Sequence, residues 1–129
     1  MHSYILQDWI TIRGAVGVTT VTQSESGWLD LAPYQDVTFW IDAREFTGTT
    51  TPTLSFQTSP TKDEVLFQTM GSPVPLVLTT TTIAAPTRVL LASAAVPVAR
   101  YVRWLLTGPA AGGWDATFRV MVGANALGL

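Results

Sequence analysis

The stretch Val37-Thr38-Phe39-Trp40-Ile41-Asp42-Ala43-Arg44 decides the fold of this chain. Its residues alternate in character, with Val37, Phe39, Ile41 and Ala43 on one spacing and Thr38, Trp40, Asp42 and Arg44 on the other. An alternation of this kind places the apolar set on one face, which is typical of a half-buried β-strand. Other segments repeat the style and none has the period of a long helix. The sequence therefore predicts an all-β domain with this segment as its central strand.

Further strands are predicted on both sides of the central strand. They cover Tyr4 to Arg13, Val18 to Gln23, Trp28 to Leu31, Leu54 to Thr58, Val65 to Met70, Leu76 to Ile83, Arg88 to Ser93, Ala99 to Leu106 and Asp115 to Val122. In the last of these strands, Ala116, Phe118, Val120 and Val122 are expected to face inward. About eight to ten short strands separated by turns predict a single-domain antiparallel β-sandwich of the jelly-roll type, spanning residues 1–129.

Two connections between these strands carry specific expectations. The Gly- and Thr-containing loop 47–52 separates the central strand from the next one, and this arrangement predicts a β-hairpin. Gly71-Ser72-Pro73 has the composition of a turn and is expected to end the strand before it.

The surface is expected to be poor in charge. Charged residues make up 12% of the chain, which is about half the roughly 25% usual for soluble proteins. Lys62 is the only lysine, and six of the seven basic residues are arginine. Interface cores are depleted in Lys, Glu and Asp and enriched in aromatic residues and Arg. This composition favours a surface partly covered by a protein partner, the alternative being a monomeric sandwich coated in threonine.

Several classes of partner are not expected. A net charge of −2 without a basic patch argues against direct binding of nucleic acid. The longest apolar run, beginning at Val89, is broken by Pro97 before it could span a bilayer. No basic region followed by an apolar stretch opens the chain, so no secretory signal is predicted and an intracellular or virion location is expected. The absence of cysteine excludes disulfides and Cys-based metal sites.

No catalytic constellation is visible, so a non-enzymatic protein without a cofactor or metal is expected. His2 is the only histidine and lies at the chain terminus. Most carboxylates lie beside predicted turns, where Asp bonds its own backbone. Gly112-Gly113 lacks the following Lys-Ser/Thr of a phosphate loop. A small hydrolase with paired carboxylates remains an alternative.

The candidate interface is built from arginine and tryptophan on the polar faces of strands. Trp40 and Arg44 share the polar face of the central strand, and Arg119 lies on the polar face of the last one. Arg100 and Arg103 fall on opposite faces of one strand, so at least one is expected to meet a carboxylate from a neighbouring strand or subunit. Trp and Arg together are typical of interface hot spots.

A ligand platform is the alternative use of the tryptophans. Trp28, Trp40 and Trp114 are the candidates for stacking against a sugar, in which case the protein would be a carbohydrate-binding module. Trp40 is the best candidate for exposure or for burial in an interface, and Trp114, beside a glycine-rich loop tip, comes second. The competing interpretation is that each tryptophan fills the core, where its N–H needs a partner.

Two sets of segments carry resemblances to known families. The strand Ala99-Arg100-Tyr101-Val102-Arg103-Trp104, followed by Trp114-Asp115-Ala116-Thr117-Phe118-Arg119-Val120, resembles the C-terminal strands of discoidin-like (galactose-binding-like) jelly rolls, although the chain lacks their disulfide cysteines. Leu54 to Ser59, the polar turn 60–64, Phe67 and the Arg-Tyr-Val-Arg strand look like small β-sandwich proteins encoded among tailed-phage structural genes. The phage resemblance implies a homo-oligomeric capsid decoration, cement or other virion-associated subunit that binds itself or a shell protein.

Overall fold

The computed structural model describes residues 2–14, 17, 19–47, 51–76, 87–90, 98–108 and 113–126. Within these ranges the chain forms nine β-strands: β1 (His2–Gly14), β2 (Thr20–Thr22), β3 (Leu29–Asp30), β4 (Tyr34–Thr47), β5 (Thr53–Ser59), β6 (Gln68–Pro75), β7 (Thr87–Leu90), β8 (Tyr101–Thr107) and β9 (Trp114–Ala126). Two short 3₁₀ turns, Glu25–Gly27 and Glu64–Leu66, are the helical elements of this part of the chain. The prediction of an all-β fold is confirmed.

The strands form two antiparallel sheets. The first sheet has the order β1-β9-β4-β7, and the second has the order β2-β8-β5-β6. The short strand β3 also pairs with β8, beside its first residues, while β2 pairs beside its last ones. Strands β2 and β3 therefore act as one edge strand that is interrupted by residues 23–28.

The core lies between the two sheets and is supplied by the apolar spacing of the strands. The inward residues predicted for β4 and β9 are all buried: Val37, Phe39, Ile41, Ala43, Ala116, Phe118, Val120 and Val122. Phe39 stacks on Phe56 of the second sheet, with ring centroids 3.8 Å apart, and the Trp104 ring meets Phe118 edge-on at 5.2 Å. Aromatic pairs of this kind add to the apolar area that holds the sheets together.

The predicted hairpin between the central strand and its successor is wrong. Strand β4 belongs to the first sheet, whereas β5 pairs with β6 and β8 in the second sheet. The connection therefore carries the chain from one sheet to the other. Alternation along a strand identifies its buried face, but it does not identify the strand beside it.

The region around β6 also differs from expectation. Glu64–Leu66 is a 3₁₀ turn, and the strand begins only at Gln68 and runs through the predicted turn at 71–73 to Pro75. Met70 lies opposite Phe56 and Val74 lies opposite Leu54, so three residues of β6 oppose one of β5. Gly71 has φ of +72°, which glycine adopts without steric cost. The glycine thus makes an irregularity inside the strand, as in a β-bulge, and does not end it.

Some predicted segments lie outside the described residues. Of the strand predicted over Leu76 to Ile83, the structure describes Leu76, which is buried. Of the strand predicted over Arg88 to Ser93, it describes residues 88–90 within β7, which pair with residues 38–40 of β4.

Candidate protein interface

The outer face of the first sheet gathers aromatic, aliphatic and arginine side chains from three neighbouring strands. We define this outer face by Ile5 and Trp9 on β1, Arg119 and Met121 on β9, and Trp40, Asp42 and Arg44 on β4. Strand register places Ile5, Met121 and Trp40 in one row across the sheet. Asp42 and Arg119 lie opposite each other in the next row. The face therefore combines an apolar row with a charged row.

The charged row is centred on a buried carboxylate. The Asp42 side chain is almost fully buried, and its Oδ2 accepts a hydrogen bond from Arg119 Nε at 3.2 Å. Arg44 Nε lies 3.2 Å from Oδ1, close enough for an ion pair but without hydrogen-bond alignment. Both arginines remain partly exposed at their own side chains. A buried carboxylate needs this compensation, because an unpaired charge away from water is strongly disfavoured.

Trp9 covers the two arginines. Its ring centroid lies 4.8 Å from the Arg119 Cζ atom and 5.1 Å from the Arg44 Cζ atom, within the range of a cation–π contact. The residue is nevertheless 41% exposed. Asp42, the two arginines and Trp9 thus form one amphipathic cluster that is arranged within the chain and whose outer side meets solvent.

An open apolar cleft adjoins this charged row. It has a volume of about 350 Å³ and is lined by Ser3, Tyr4, Ile5, Trp40, Met121 and Val122. Ile5 on its rim is 62% exposed, while Trp40 and Met121 are half-buried. A large aliphatic side chain with this exposure adds nothing to the core of its own chain, so the cleft is available for contact with another molecule.

Arg103 lies in the second sheet and is covered by its own chain. Its prediction as an interface residue is therefore wrong. Its side chain is 4% exposed and bonds Glu64 Oε2 through Nη1 at 2.7 Å and Gln57 Oε1 through Nε at 2.8 Å. The Phe67 ring lies 3.9 Å from its Cζ atom and the Trp28 ring lies 5.2 Å away. Turn and aromatic residues from the same chain cover the guanidinium, which sequence alternation could not show.

Arg100 pairs with a carboxylate of its own chain at the surface. Its Nη2 donates to Asp30 Oδ2 at 3.1 Å, and both side chains are about half exposed. The hydrogen bond from Arg100 is the main reason that the pKa of Asp30 lies below its usual range. The expectation that at least one of Arg100 and Arg103 meets a carboxylate is confirmed for both, and the carboxylates belong to the same chain.

Two of the three candidate platform tryptophans do not present an open face. Trp114 is 2% exposed, so its place as a candidate platform is wrong and the competing interpretation, core packing, holds: the ring packs at the end of the core against the backbones of Gly14 and Gly108. Trp28 is half-buried, packs edge-on against Phe67 at 4.7 Å and donates its Nε1–H to the Gln23 carbonyl. Trp40 stays at the surface as part of the outer face.

Sequence reasoning missed four exposed apolar side chains among the described residues: Ile5, Trp9, Val65 and Leu66. Trp9 had a usable signal, since it falls on the polar spacing of its strand together with Thr11 and Arg13. Ile5 had none, because a register shift between Ile5 and Gln7 interrupts the alternation. The sequence predicts a strand at Val65 and Leu66, and their exposure follows from the 3₁₀ turn that the structure contains instead.

The described residues contain neither a metal-ligating cluster nor a membrane-spanning helix. No group of three or more His, Cys, Asp and Glu side chains there could hold a metal ion. In the same ranges no helix has the length and apolar character needed to cross a membrane.

Comparison with known proteins assigns no family. No family model matches the sequence, and no curated protein matches it. A chain in the structure of infectious bursal disease virus, Gx strain, is similar over 98% of this chain, with a TM-score of 0.44 and 13% sequence identity. The match spans 32% of the length of that viral chain. Similarity at this level establishes no relationship between the two proteins.

Proposed function

We propose that this chain is a non-enzymatic structural subunit that associates with protein through the outer face of its first sheet, as a homo-oligomer and virion component such as a capsid decoration protein. One observation carries the proposal. Trp9 and Ile5 are exposed beside Trp40 and Met121. Next to them lie Arg44 and Arg119, which are already paired with Asp42. Tryptophan and arginine in a central, pre-organised patch are the composition of interface hot spots.

The strand order supports the same proposal. The first and last strands pair, and the orders β1-β9-β4-β7 and β2-β8-β5-β6 face each other across the core. We infer that the sandwich is a jelly roll, an architecture used by viral capsid and lectin domains. Because one fold can host several functions, the surface residues must be used to distinguish a capsid role from a carbohydrate-binding role.

The surface favours protein over carbohydrate. A sugar platform needs an open aromatic ring face, and Trp114 is buried while Trp28 packs on Phe67. Trp9 is exposed, but Arg44 and Arg119 already lie over its ring. The aromatic residues are therefore embedded in a mixed apolar and charged patch, as in protein interfaces.

Light scattering coupled to size exclusion tests the proposal on the whole chain. The expected result is a mass of a defined oligomer that falls towards the 13.9 kDa monomer on dilution. Circular dichroism on the same samples confirms that the chain is folded. A folded monomer at every micromolar concentration examined, with no binding to agarose-coupled copies of itself, would overturn the proposal of self-association.

A further inference from the structure

The 3₁₀ turn of the second sheet presents two aliphatic side chains to solvent. Val65 is 85% exposed and Leu66 is 43% exposed. We call these two residues the knob. Aliphatic side chains at this exposure contribute little to the fold, and neighbouring exposed ones are typical of contact sites.

The knob is held rigidly from beneath. Leu66 N–H donates to the Asp63 carbonyl at 3.0 Å, and Glu64 is bonded to the buried Arg103 at 2.7 Å. Phe67, directly after the knob, is buried over the same guanidinium. A side chain on a pre-formed support loses little conformational freedom on binding, so the knob is suited to insertion into a partner.

The knob and the cleft of the first sheet lie on opposite sides of the sandwich. Val102 and Trp104 point into the core, so Arg103 between them points outward from the second sheet, and the turn that covers it lies on that side. The cleft lined by Ile5 and Trp40 lies on the outer face of the first sheet. The knob of one chain therefore cannot enter the cleft of the same chain.

The cleft has the size and polarity to receive the knob. An apolar protein cavity of ~150 Å³ accepts a molecule of benzene. The cleft measures about 350 Å³, and its lining includes Ile5, Trp40 and Met121. The two aliphatic side chains of the knob therefore fit into the cleft. Their insertion would also remove the exposed Ile5 side chain from contact with water.

The charges left after the internal ion pairs are opposite on the two surfaces: Asp42 offsets one of the two arginines of the outer face, and Arg103 offsets Glu64 beside the knob, which leaves Asp63. Asp63 and Glu64 come directly before the knob, and both are exposed. The half-exposed Arg119 lies on the outer face one row from the cleft, and the half-exposed Arg44 lies two residues beyond Asp42 on β4. Lys62, the nearest cation to the knob in sequence, is directed to the Tyr101 ring at 5.5 Å. Opposite charge at the rims favours this orientation of two copies over the reverse one.

We propose that Val65 and Leu66 of one copy insert into the cleft formed around Ile5, Trp40 and Met121 of a second copy. This inference rests on the proposed function and names the partner and geometry of its interface. Because knob and cleft are on opposite sides, the contact is heterologous: each dimer keeps one free knob and one free cleft. Repetition of the contact produces a closed ring or an open chain of subunits.

Complementation between two variants tests this geometry. Val65→Asp removes the knob and Ile5→Asp removes the cleft, and both positions are exposed enough for the variants to fold. Each variant alone is expected to associate at least about tenfold more weakly than the wild type, because a charge replaces the inserted aliphatic group. An equimolar mixture is expected to form a dimer and nothing larger, because one intact knob and one intact cleft remain.

Sedimentation velocity, with one variant fluorescently labelled, measures the mixed species. Gln68→Asp, an exposed position beside the same turn, is the matched control for the added charge and should associate no more weakly than the wild type. Val65→Asn repeats the knob test without an added charge.

The outcomes separate the inference from the proposed function. If the wild type is oligomeric and both Val65 variants keep its mass, the knob is not used and the inference is overturned while the proposed function stands. A mixture that remains monomeric, when each variant alone is monomeric, overturns the heterologous contact. A wild type that never associates overturns both.

Discussion

The indole of Trp114 lies directly against two glycines, which explains why a large residue beside a glycine-rich loop is buried. A Cβ atom built on Gly108 would lie 2.3 Å from Trp114 Cε2, and one on Gly14 would lie 2.0 Å from the same atom. Neither distance is possible for real atoms, so the absent side chains of Gly14 and Gly108 create the slot that the ring fills.

Gly108→Ala is expected to lower the free energy of unfolding by about 2–3 kcal/mol, because the added methyl group displaces a ring that is locked in the core. Gly113→Ala is the control, since its nearest contact would be an ordinary 3.5 Å to the Gly14 carbonyl oxygen. Urea denaturation compares the two variants. Equal stability of both would show that the Trp114 slot is not tightly packed.

Arg103 contributes to stability by its packing as well as by its charge. Arg103→Ala is expected to cost about 2–3 kcal/mol, because it leaves a void between Trp28 and Phe67 and removes the bond to Gln57. Arg103→Met, which keeps a long apolar stem, should recover at least half of this loss. Thermal and urea unfolding measure both. An alanine variant as stable as the wild type would contradict this account.

Glu64 makes stability depend on pH in the acid range. The hydrogen bond from Arg103 lowers the pKa of Glu64 below its ordinary value. A depressed carboxyl pKa in the folded state stabilises the fold above the pKa of the unfolded chain, and this stabilisation disappears as the pH falls through the folded value. Stability should therefore fall below about pH 4.3, and Glu64→Gln should show a shallower fall. If the stability of the wild type and of Glu64→Gln fell equally steeply with pH, the assignment to Glu64 would be contradicted.

At the scale of elements, the interrupted edge strand is held by one buried amide. Gln23 Nε2 donates to the carbonyls of Leu6 at 2.7 Å and Gly27 at 2.8 Å, and its Oε1 accepts from the Trp104 N–H at 3.2 Å. Leu6 belongs to β1 and Trp104 to β8, so the side chain links the first sheet to the second. Residues 23–28 can leave the edge strand because the Gln23 amide bonds backbone groups that would otherwise lack this partner.

Gln23→Leu is expected to destabilise the fold by about 2–4 kcal/mol, because at similar side-chain volume it leaves two buried backbone groups and one partly buried group without this partner. Gln68→Leu at an exposed position is the control and should change stability by less than about 0.5 kcal/mol. Amide hydrogen exchange at Trp104 gives a local readout: an unchanged rate in Gln23→Leu would show that the amide is not needed there.

At the scale of the whole molecule, the two sides of the sandwich differ in their exposed groups. The first sheet shows an apolar cleft beside two partly exposed arginines, and the second carries an aliphatic knob beside carboxylates. With this asymmetry the proposed assembly joins unlike faces head to tail, whereas a twofold dimer would join the same face of both copies.

Self-association is expected to weaken as salt is added, because Asp63 and Glu64 would lie near Arg44 and Arg119 of the next copy. Exposed charges are screened within about 8 Å at physiological ionic strength. Raising sodium chloride should slow association more than it speeds dissociation in surface-binding kinetics. An association rate that is independent of salt would contradict a contribution from these rims.

The sequence by itself determined the fold class and the buried face of the long strands, because a strand's period of two is written in consecutive residues. The alternation in β4 and β9 therefore named the core correctly, and the expectation that at least one of Arg100 and Arg103 meets a carboxylate was also correct. Only the tertiary structure decided which strands are neighbours, that Arg103 and Trp114 lie inside, and that Trp9 joins Trp40 on one face. These features depend on residues distant in sequence, whose approach is set by strand order, bulges and glycine slots that no local pattern records.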